Sequence, residues 1–355
     1  MRRLLLDPVG SASVADVVGR LGAVPAWPEP AMELAIGARR AGGRSGDAVR
    51  ALEAREVVRV FAFRGATHLM TPQDAGAYLA VRASSRMWEL SSWVSFYGLA
   101  PGDWPRFREY VRHALADGPL TVSELTAAFG RSSRYRHLRP IIDGGNETLL
   151  KPLSWQGDVY LAPSRNGQMT LARLDDVPGW AGVPDLEEAG PTVVAAYLHT
   201  YGPASVDRVH DWVGKGLGAK RPAVTRWLGR VADRVETVTI EGDEMLVLRD
   251  DLDDLRTADA SNAVRLLPGR DPWVMAPGTA DARVVPPARR EPVSRSAHMV
   301  VSRGVLAGTW AVRDARLEVA WFEESGRVAR SALDAEAARL AAFLDRPLEL
   351  SVEIT

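Results

Sequence analysis

The sequence predicts an α+β chain in which three tandem winged-helix units are followed by a small β-rich, barrel-like domain and a C-terminal helix. A thirteen-residue phrase occurs twice, 84 residues apart: Gly118-Pro119-Leu120-Thr121-Val122-Ser123-Glu124-Leu125-Thr126-Ala127-Ala128-Phe129-Gly130 and Gly202-Pro203-Ala204-Ser205-Val206-Asp207-Arg208-Val209-His210-Asp211-Trp212-Val213-Gly214. A looser version of the same unit precedes the first copy, and beyond residue 259 the texture changes to short β-rich runs. The expected boundaries are 1–100 for the degenerate first winged helix, 101–185 for the second, 186–258 for the third and 259–355 for the β-rich domain with its closing helix.

In the first unit, Val14 to Val24, Met32 to Arg39 and Asp47 to Arg55 read as helices, and Val57 to Phe63 and Ala66 to Met70 as strands around Arg64-Gly65. Each repeated phrase follows an amphipathic stretch, Phe107 to Ala116 or Val193 to Tyr201. Glycine stops that helix because it tolerates left-handed dihedrals, and proline forbids its continuation. Thr121 or Ser205 then caps the next helix, an acid in the first turn suits the helix dipole, and Val122, Leu125 and Phe129, like Val206, Val209 and Val213, form one apolar face. Leu149 to Ser154 and Val159 to Pro163 read as a hairpin around Trp155-Gln156-Gly157-Asp158. In the last unit, Lys220 to Val231 reads as a third helix with Pro222 in its first turn. Val235 to Ile240 and Met245 to Arg249 flank Glu241-Gly242-Asp243 as a hairpin.

In the β-rich region Ala263 to Leu267, Trp273 to Met275, His298 to Ser302, Val305 to Trp310 and Leu317 to Phe322 read as strands. The chain closes with a helix over Leu333 to Leu344, with Leu333, Ala337, Leu340 and Leu344 on one side. The proline-rich tract from Pro277 to Pro292 reads as a loop, either a functional arm or disordered.

Composition excludes whole classes. There is no cysteine, so disulfides, thiol nucleophiles and thiolate metal sites are absent. No window approaches the apolar length of a membrane span, and Asp7-Pro8 breaks the run that begins Arg2-Arg3-Leu4-Leu5-Leu6 before a signal peptide could form. The expected location is cytoplasmic. Gly214-Lys215-Gly216-Leu217-Gly218 lacks the Lys-Ser/Thr of a phosphate-binding loop, Gly-x-Ser-x-Gly does not occur, and His199 and His210 lack the i, i+4 spacing of a helical metal pair. The 355 residues carry a net charge of −1, yet charge is segregated. Residues 131–173 balance at +4 and residues 241–259 at −6. That pattern fits a polyanion bound on one face, and equally ordinary solvated charge.

Two segments, read together with the repeats, are diagnostic. Arg64-Gly65-Ala66-Thr67-His68-Leu69 ends the degenerate first unit, and Leu266-Leu267-Pro268-Gly269-Arg270-Asp271-Pro272 precedes a Gly308-Thr309-Trp310 strand. In this order, from about Val14 to about Leu344, the chain resembles the winged-helix DNA glycosylases of the AlkZ and YcaQ type. The resemblance implies a concave scaffold that removes bulky or cross-linked alkylated purines by hydrolysing the N-glycosidic bond in base excision repair, in some members as self-resistance to a DNA-alkylating natural product. It implies a monomer acting on double-stranded DNA with a bulky alkylated purine, with no membrane, cofactor or metal ion. Active members carry Gln-x-Gln or Gln-x-Asp directly after the first helix to position the attacking water. Here Ala23-Val24 is followed by Pro25-Ala26-Trp27. The alternative is therefore a non-catalytic DNA-binding or adduct-sequestering protein on the same scaffold.

A purine alkylated at N7 is cationic and leaves without prior protonation, so catalysis reduces to stabilising oxocarbenium character and aligning a water. Asp271, Glu29 and His68 are the candidates for that work. Glu29 also reads as a solvated carboxylate and His68 as a structural histidine. Trp27 could stack on an extruded base or planar adduct, or simply pack in the core. Arg64, Arg131, Arg134, Arg136, Arg139, Lys151 and Arg270 are the candidates for contacting DNA or the adduct.

Overall fold

In the computed structural model, which describes every residue from Met1 to Thr355, hydroxyl caps open the repeated helices where the Gly-Pro phrase places them. The Thr121 hydroxyl accepts from the Glu124 amide at 3.2 Å while the Glu124 carboxylate accepts from the Thr121 amide at 2.8 Å, a reciprocal capping box. Ser205 accepts from the Arg208 amide at 3.4 Å in the second copy. Val122–Arg131 buries Val122, Leu125 and Phe129, the expected face. In the second copy Val209 and Val213 are buried but Val206 stays exposed, and Val206–Val209 passes into a π-helical turn, His210–Gly216. Equivalent residues of the two phrases also make equivalent pairings. Leu120 pairs with Leu171, and Ala204 bridges Leu246, each on the second strand of the hairpin that follows.

The chain forms two compact units. One comprises Ala51–Ala195 and Val213–Val231. Within it Val58–Phe61 and Thr67–Met70 form an antiparallel pair across a turn in which Arg64 and Gly65 both take positive φ, 53° and 70°. A second antiparallel pair, Val159–Arg165 with Gln168–Arg173, turns at Asn166-Gly167 and takes Leu120–Thr121 as a third strand. The expectation of a strand over Leu149 to Ser154 is corrected, because Glu147–Leu150 and Lys151–Trp155 are helical. Pro152 sits in the first turn of the latter, where its missing N–H is harmless, and Leu149, Leu150, Leu153 and Trp155 are all buried, so the run never had the alternation of a half-buried strand. The segment Trp155 to Asp158, expected as a hairpin turn, ends this helix.

The other unit comprises Met1–Arg50, Ala196–Trp212 and Ala232–Thr355. It contains the hairpin Val235–Ile240 with Asp243–Leu248 and a five-stranded sheet. The sheet runs Glu349–Ile354, Arg316–Trp321, Val305–Arg313, His298–Ser302, Val264–Leu267, with two edges rather than barrel closure. Three expectations are corrected here. Trp273 to Met275 is helical, because Pro272 and the Asp271 cap start a turn of helix at that point. The chain closes not with the helix but with a further strand, Glu349–Ile354, parallel to Arg316–Trp321. Its Leu350, Val352 and Ile354 alternate with Glu349, Ser351 and Glu353, a legible period of two, and the helix Arg330–Phe343 is the crossover that a parallel pair requires. The third is the barrel. Leu333, Ala337 and Leu340 of that helix pack with Val264, Leu266, Trp310, Leu317, Val319 and Trp321 of the sheet. Helix Glu29–Gly37 joins them at Gly37, where a β-carbon would come within 2.3 Å of the Phe343 ring.

One buried ion pair ties this unit together. Arg39 and Asp271 have no exposed side-chain surface. The Arg39 guanidinium donates to both Asp271 oxygens at 2.8 and 2.7 Å, to the Leu4 carbonyl at 2.9 Å and to the Ala35 carbonyl at 2.6 Å. Asp271 accepts in addition from the Trp273 amide at 2.8 Å. Removing one partner leaves the other charged and dry, which typically costs about 3–5 kcal/mol, whereas replacing both by apolar groups costs far less. Arg39→Met and Asp271→Leu are each expected to lower unfolding stability by that amount in urea titrations, and the double variant by less than the sum.

Candidate functional site

Helix Val14–Leu21 ends at Gly22, whose φ is 72°. Ala23, Val24 and Ala26 are buried, and Pro25 is half-buried. Trp27 is 72% exposed, which removes the reading of a core tryptophan. Glu29, two residues on, is exposed at the first position of helix Glu29–Gly37. The two positions where the resemblance puts polar side chains therefore hold a ring without polar atoms and an indole in solvent. Glu33, on the same helix, is a structural carboxylate: its oxygens accept from the amides of Val49 at 2.9 Å and Ala48 at 3.2 Å, at the start of helix Asp47–Glu53. Burial pushes its carboxyl up from the ordinary glutamate value, against the pull of those amides.

Asp271 is corrected as a candidate acceptor for a water proton. Its oxygens are engaged by Arg39 and the Trp273 amide, and no solvent reaches it. Arg270 beside it is exposed, in a left-handed conformation at φ 65°, and donates to the Ser296 hydroxyl at 2.8 Å. Within this unit, Trp27 and Glu29 thus share one exposed turn, and the Asp271 side chain lies inside the core.

In the other unit His68 is buried on strand Thr67–Met70, with its ring 5.3 Å from that of Phe63. Desolvation pulls its pKa down to about 4. The imidazole is neutral near pH 7, and because Nδ1 lies 3.1 Å from the Ala66 carbonyl, which can only accept, Nδ1 carries the proton and Nε2 is the lone-pair nitrogen. Arg64 is exposed at the turn. Lys151 is half-buried, its ammonium 5.4 Å from the centre of the Phe61 ring. Burial first, and then the neighbouring Arg82, hold the Lys151 ammonium below the ordinary lysine value. Sequence reasoning missed Arg82, one arginine among many in an ordinary helix; its position against Lys151 exists only in three dimensions.

The basic segment is less free than its +4 suggests. Arg134 lies 3.7 Å from Asp103 and Arg139 3.2 Å from Asp143, while Arg165 pairs with Glu124 and Arg173 with Asp175. Arg131 and Arg136 are exposed. Arg134 also lines an open groove of about 810 Å³ with Arg106, Tyr110, Arg112, His113 and Tyr135, which no sequence motif announced. The acidic segment is partly neutralised from within its own unit: Asp251 and Asp254 by Arg3 and Arg2, Glu241 and Asp243 by Arg283 of the proline-rich tract. That tract is a loop with short helical turns, Pro287–Arg289 and Arg290–Ser294. No group of acidic, histidine or cysteine side chains is arranged to hold a metal ion, and no helix is long and apolar enough to cross a membrane.

Comparison with known proteins adds a family. The model of the family described as DNA glycosylase AlkZ-like matches residues 18–343. An interstrand DNA cross-link repair glycosylase of Streptomyces sahachiroi is 32% identical over 347 residues, spanning 96% of this chain and 93% of its own. The solved structure of Streptomyces sahachiroi DNA glycosylase AlkZ superposes with a TM-score of 0.91 at 30% identity, over 100% of this chain and 97% of its own.

The neutral His68 makes stability depend on pH. An unfolded chain takes up a proton at this residue through about pH 6.5, the folded one only near 4, so the unfolded state binds more protons between these values. The stability tied to the neutral ring is present in full above about 6.5 and is lost as pH falls towards 4. His68→Gln is expected to flatten the fall in Tm between pH 7 and 5 relative to wild type; parallel Tm profiles would remove this assignment.

Proposed function

This chain belongs to the AlkZ-like DNA glycosylase family, and on that footing we propose that it hydrolyses the N-glycosidic bond of bulky N7-alkylpurine adducts in duplex DNA, cross-linked adducts among them, as self-resistance to a DNA-alkylating natural product. In this reading the protein is a cytoplasmic monomer, and the helices and hairpins before residue 259 are three winged helices bounded at 1–100, 101–185 and 186–258. The observation that carries it is Trp27, 72% exposed where the family's resemblance calls for a polar group, with Glu29 exposed on the same turn. An indole in solvent gains apolar burial when a surface covers it, and an extruded base or an aromatic adduct is a planar surface that fits its face. Pro25 stiffens the chain ahead of it.

The chemistry asks little of the protein. The cationic purine departs unprotonated, positive charge develops on the sugar, and a water must be held on the face opposite the leaving base. Glu29 carries a carboxylate that can accept that water's proton and stabilise the developing oxocarbenium ion. DNA phosphates would be met by Arg64, Arg131, Arg134, Arg136, Arg139, Lys151 and Arg270. The loss of both polar positions to Pro25 and Trp27 favours a second reading, a protein that binds the adduct and holds it without cutting.

Single-turnover release of base from DNA bearing a bulky N7-guanine adduct separates the two. Glu29→Gln is expected to slow release by about a hundredfold with DNA affinity nearly unchanged. Trp27→Ala is expected to weaken discrimination of adducted from plain duplex. A wild-type protein that binds adducted DNA tightly and releases no base establishes the sequestering reading instead. Arg131→Glu with Arg136→Glu is expected to weaken binding on every sequence and to reduce the slope of log affinity against log salt by about 0.9 for each phosphate no longer neutralised. An unaltered slope would dismiss these two arginines as phosphate ligands.

A further inference from the structure

Arg82 is buried to 8% exposure and pairs with no carboxylate. Its guanidinium lies 4.2 Å from the centre of the Trp155 ring, donates to the Leu217 carbonyl at 3.4 Å and to the Met87 sulfur at 3.2 Å, and leaves its buried Nε without an acceptor. A dry cation held only by a π face, a carbonyl and a thioether is under-compensated, since burying charge is expensive unless it is paired. Lys151 brings a second cation to the same place, and it too meets an aromatic face, that of Phe61, rather than a carboxylate. Both converge on Gly65. A β-carbon built there would lie 3.6 Å from Lys151 Nζ and 4.0 Å from Arg82 Nη2. With φ at 70°, this is a turn position that side chains rarely occupy; the glycine is buried beneath the two cations, and its N–H is given to the Ala62 carbonyl at 3.0 Å.

We propose that Lys151 and Arg82, which meet beside Gly65, form a binding site for one phosphate group, and that the occupant is a phosphodiester of the DNA strand. The choice of DNA rests on the function proposed above; the anion site rests on the two cations alone. Lys151, half-exposed, presents a point charge to the phosphate, while Arg82, locked by Trp155 and the Leu217 carbonyl, supplies a fixed charge behind it.

The test uses the full-length protein and rests on Lys151→Gln, because Lys151 is partly solvated and its replacement leaves the buried Arg82 packing in place. Duplexes in which each phosphodiester in turn is replaced by a neutral methylphosphonate are titrated against wild type and variant. The expected result is one position whose neutralisation weakens wild-type binding about tenfold and weakens the Lys151→Gln variant no further, with Lys151→Arg restoring part of the loss. Equal losses in both proteins at every position would overturn the assignment to DNA. A second arm follows Tm in millimolar inorganic phosphate against chloride at matched ionic strength. A rise in wild type that Lys151→Gln abolishes supports the anion site even for a protein that binds no duplex, the outcome that would sink the proposed function alone. No rise in Tm together with equal methylphosphonate losses rejects the site altogether.

Discussion

The unit that carries Trp27 depends on the salt bridge between Arg39 and Asp271. Nothing about either residue in isolation makes it stabilising, since two charges taken out of water lose more in hydration than their attraction alone restores. What makes the pair tenable is that each guanidinium nitrogen donates and both carboxylate oxygens accept, with the Leu4 and Ala35 carbonyls and the Trp273 amide as further partners. The same interactions join three stretches remote in sequence, namely the N-terminal segment, helix Glu29–Gly37 and the turn after strand Val264–Leu267. The Leu-Leu-Pro-x-x-Asp-Pro segment that helps to mark the family is thereby explained as architecture, with its carboxylate turned inward.

That constraint bears directly on the chemistry. A carboxylate clamped by a guanidinium cannot also serve as a mobile base, so the catalytic question returns to the short exposed turn before helix Glu29–Gly37. There the chain carries a proline and a tryptophan where the resemblance puts two polar side chains, on a scaffold that superposes on the AlkZ structure at a TM-score of 0.91. An exposed indole at that turn presents a planar apolar face in place of hydrogen-bonding groups.

Charge follows the same logic of local compensation. In the basic segment most arginines already have carboxylate partners, which weakens any inference from net charge, and the acidic segment draws arginines from the N-terminus and the proline-rich tract. The cations that stand out are those without such partners. Arg82 and Lys151 do so in different ways, one by burial against Trp155 and the other by facing Phe61. Neither is singled out by a running sum of charge along the chain.

How much of this was legible in the chain alone follows from the range over which each signal acts. Caps, glycine stops, the repeated apolar face and the hairpin turns are local, so Thr121, Ser205, Arg64-Gly65 and Glu241-Gly242 announced their roles in sequence. The closing strand is legible in the alternation of Leu350, Val352 and Ile354 with polar residues. The run from Leu149 to Ser154 was not legible, because its leucines are buried without the periodicity that separates helix from strand. The loss of the polar pair at Pro25 and Trp27 was also readable directly. What only the tertiary structure decided is which side chains meet. Asp271 looked available until Arg39, 232 residues away, was found against it, and Arg82 looked ordinary until Lys151 and Gly65 were found beside it. Residue identity determines what a group can do, but burial and long-range partners decide whether it is free to do it, and those are properties of the packed chain.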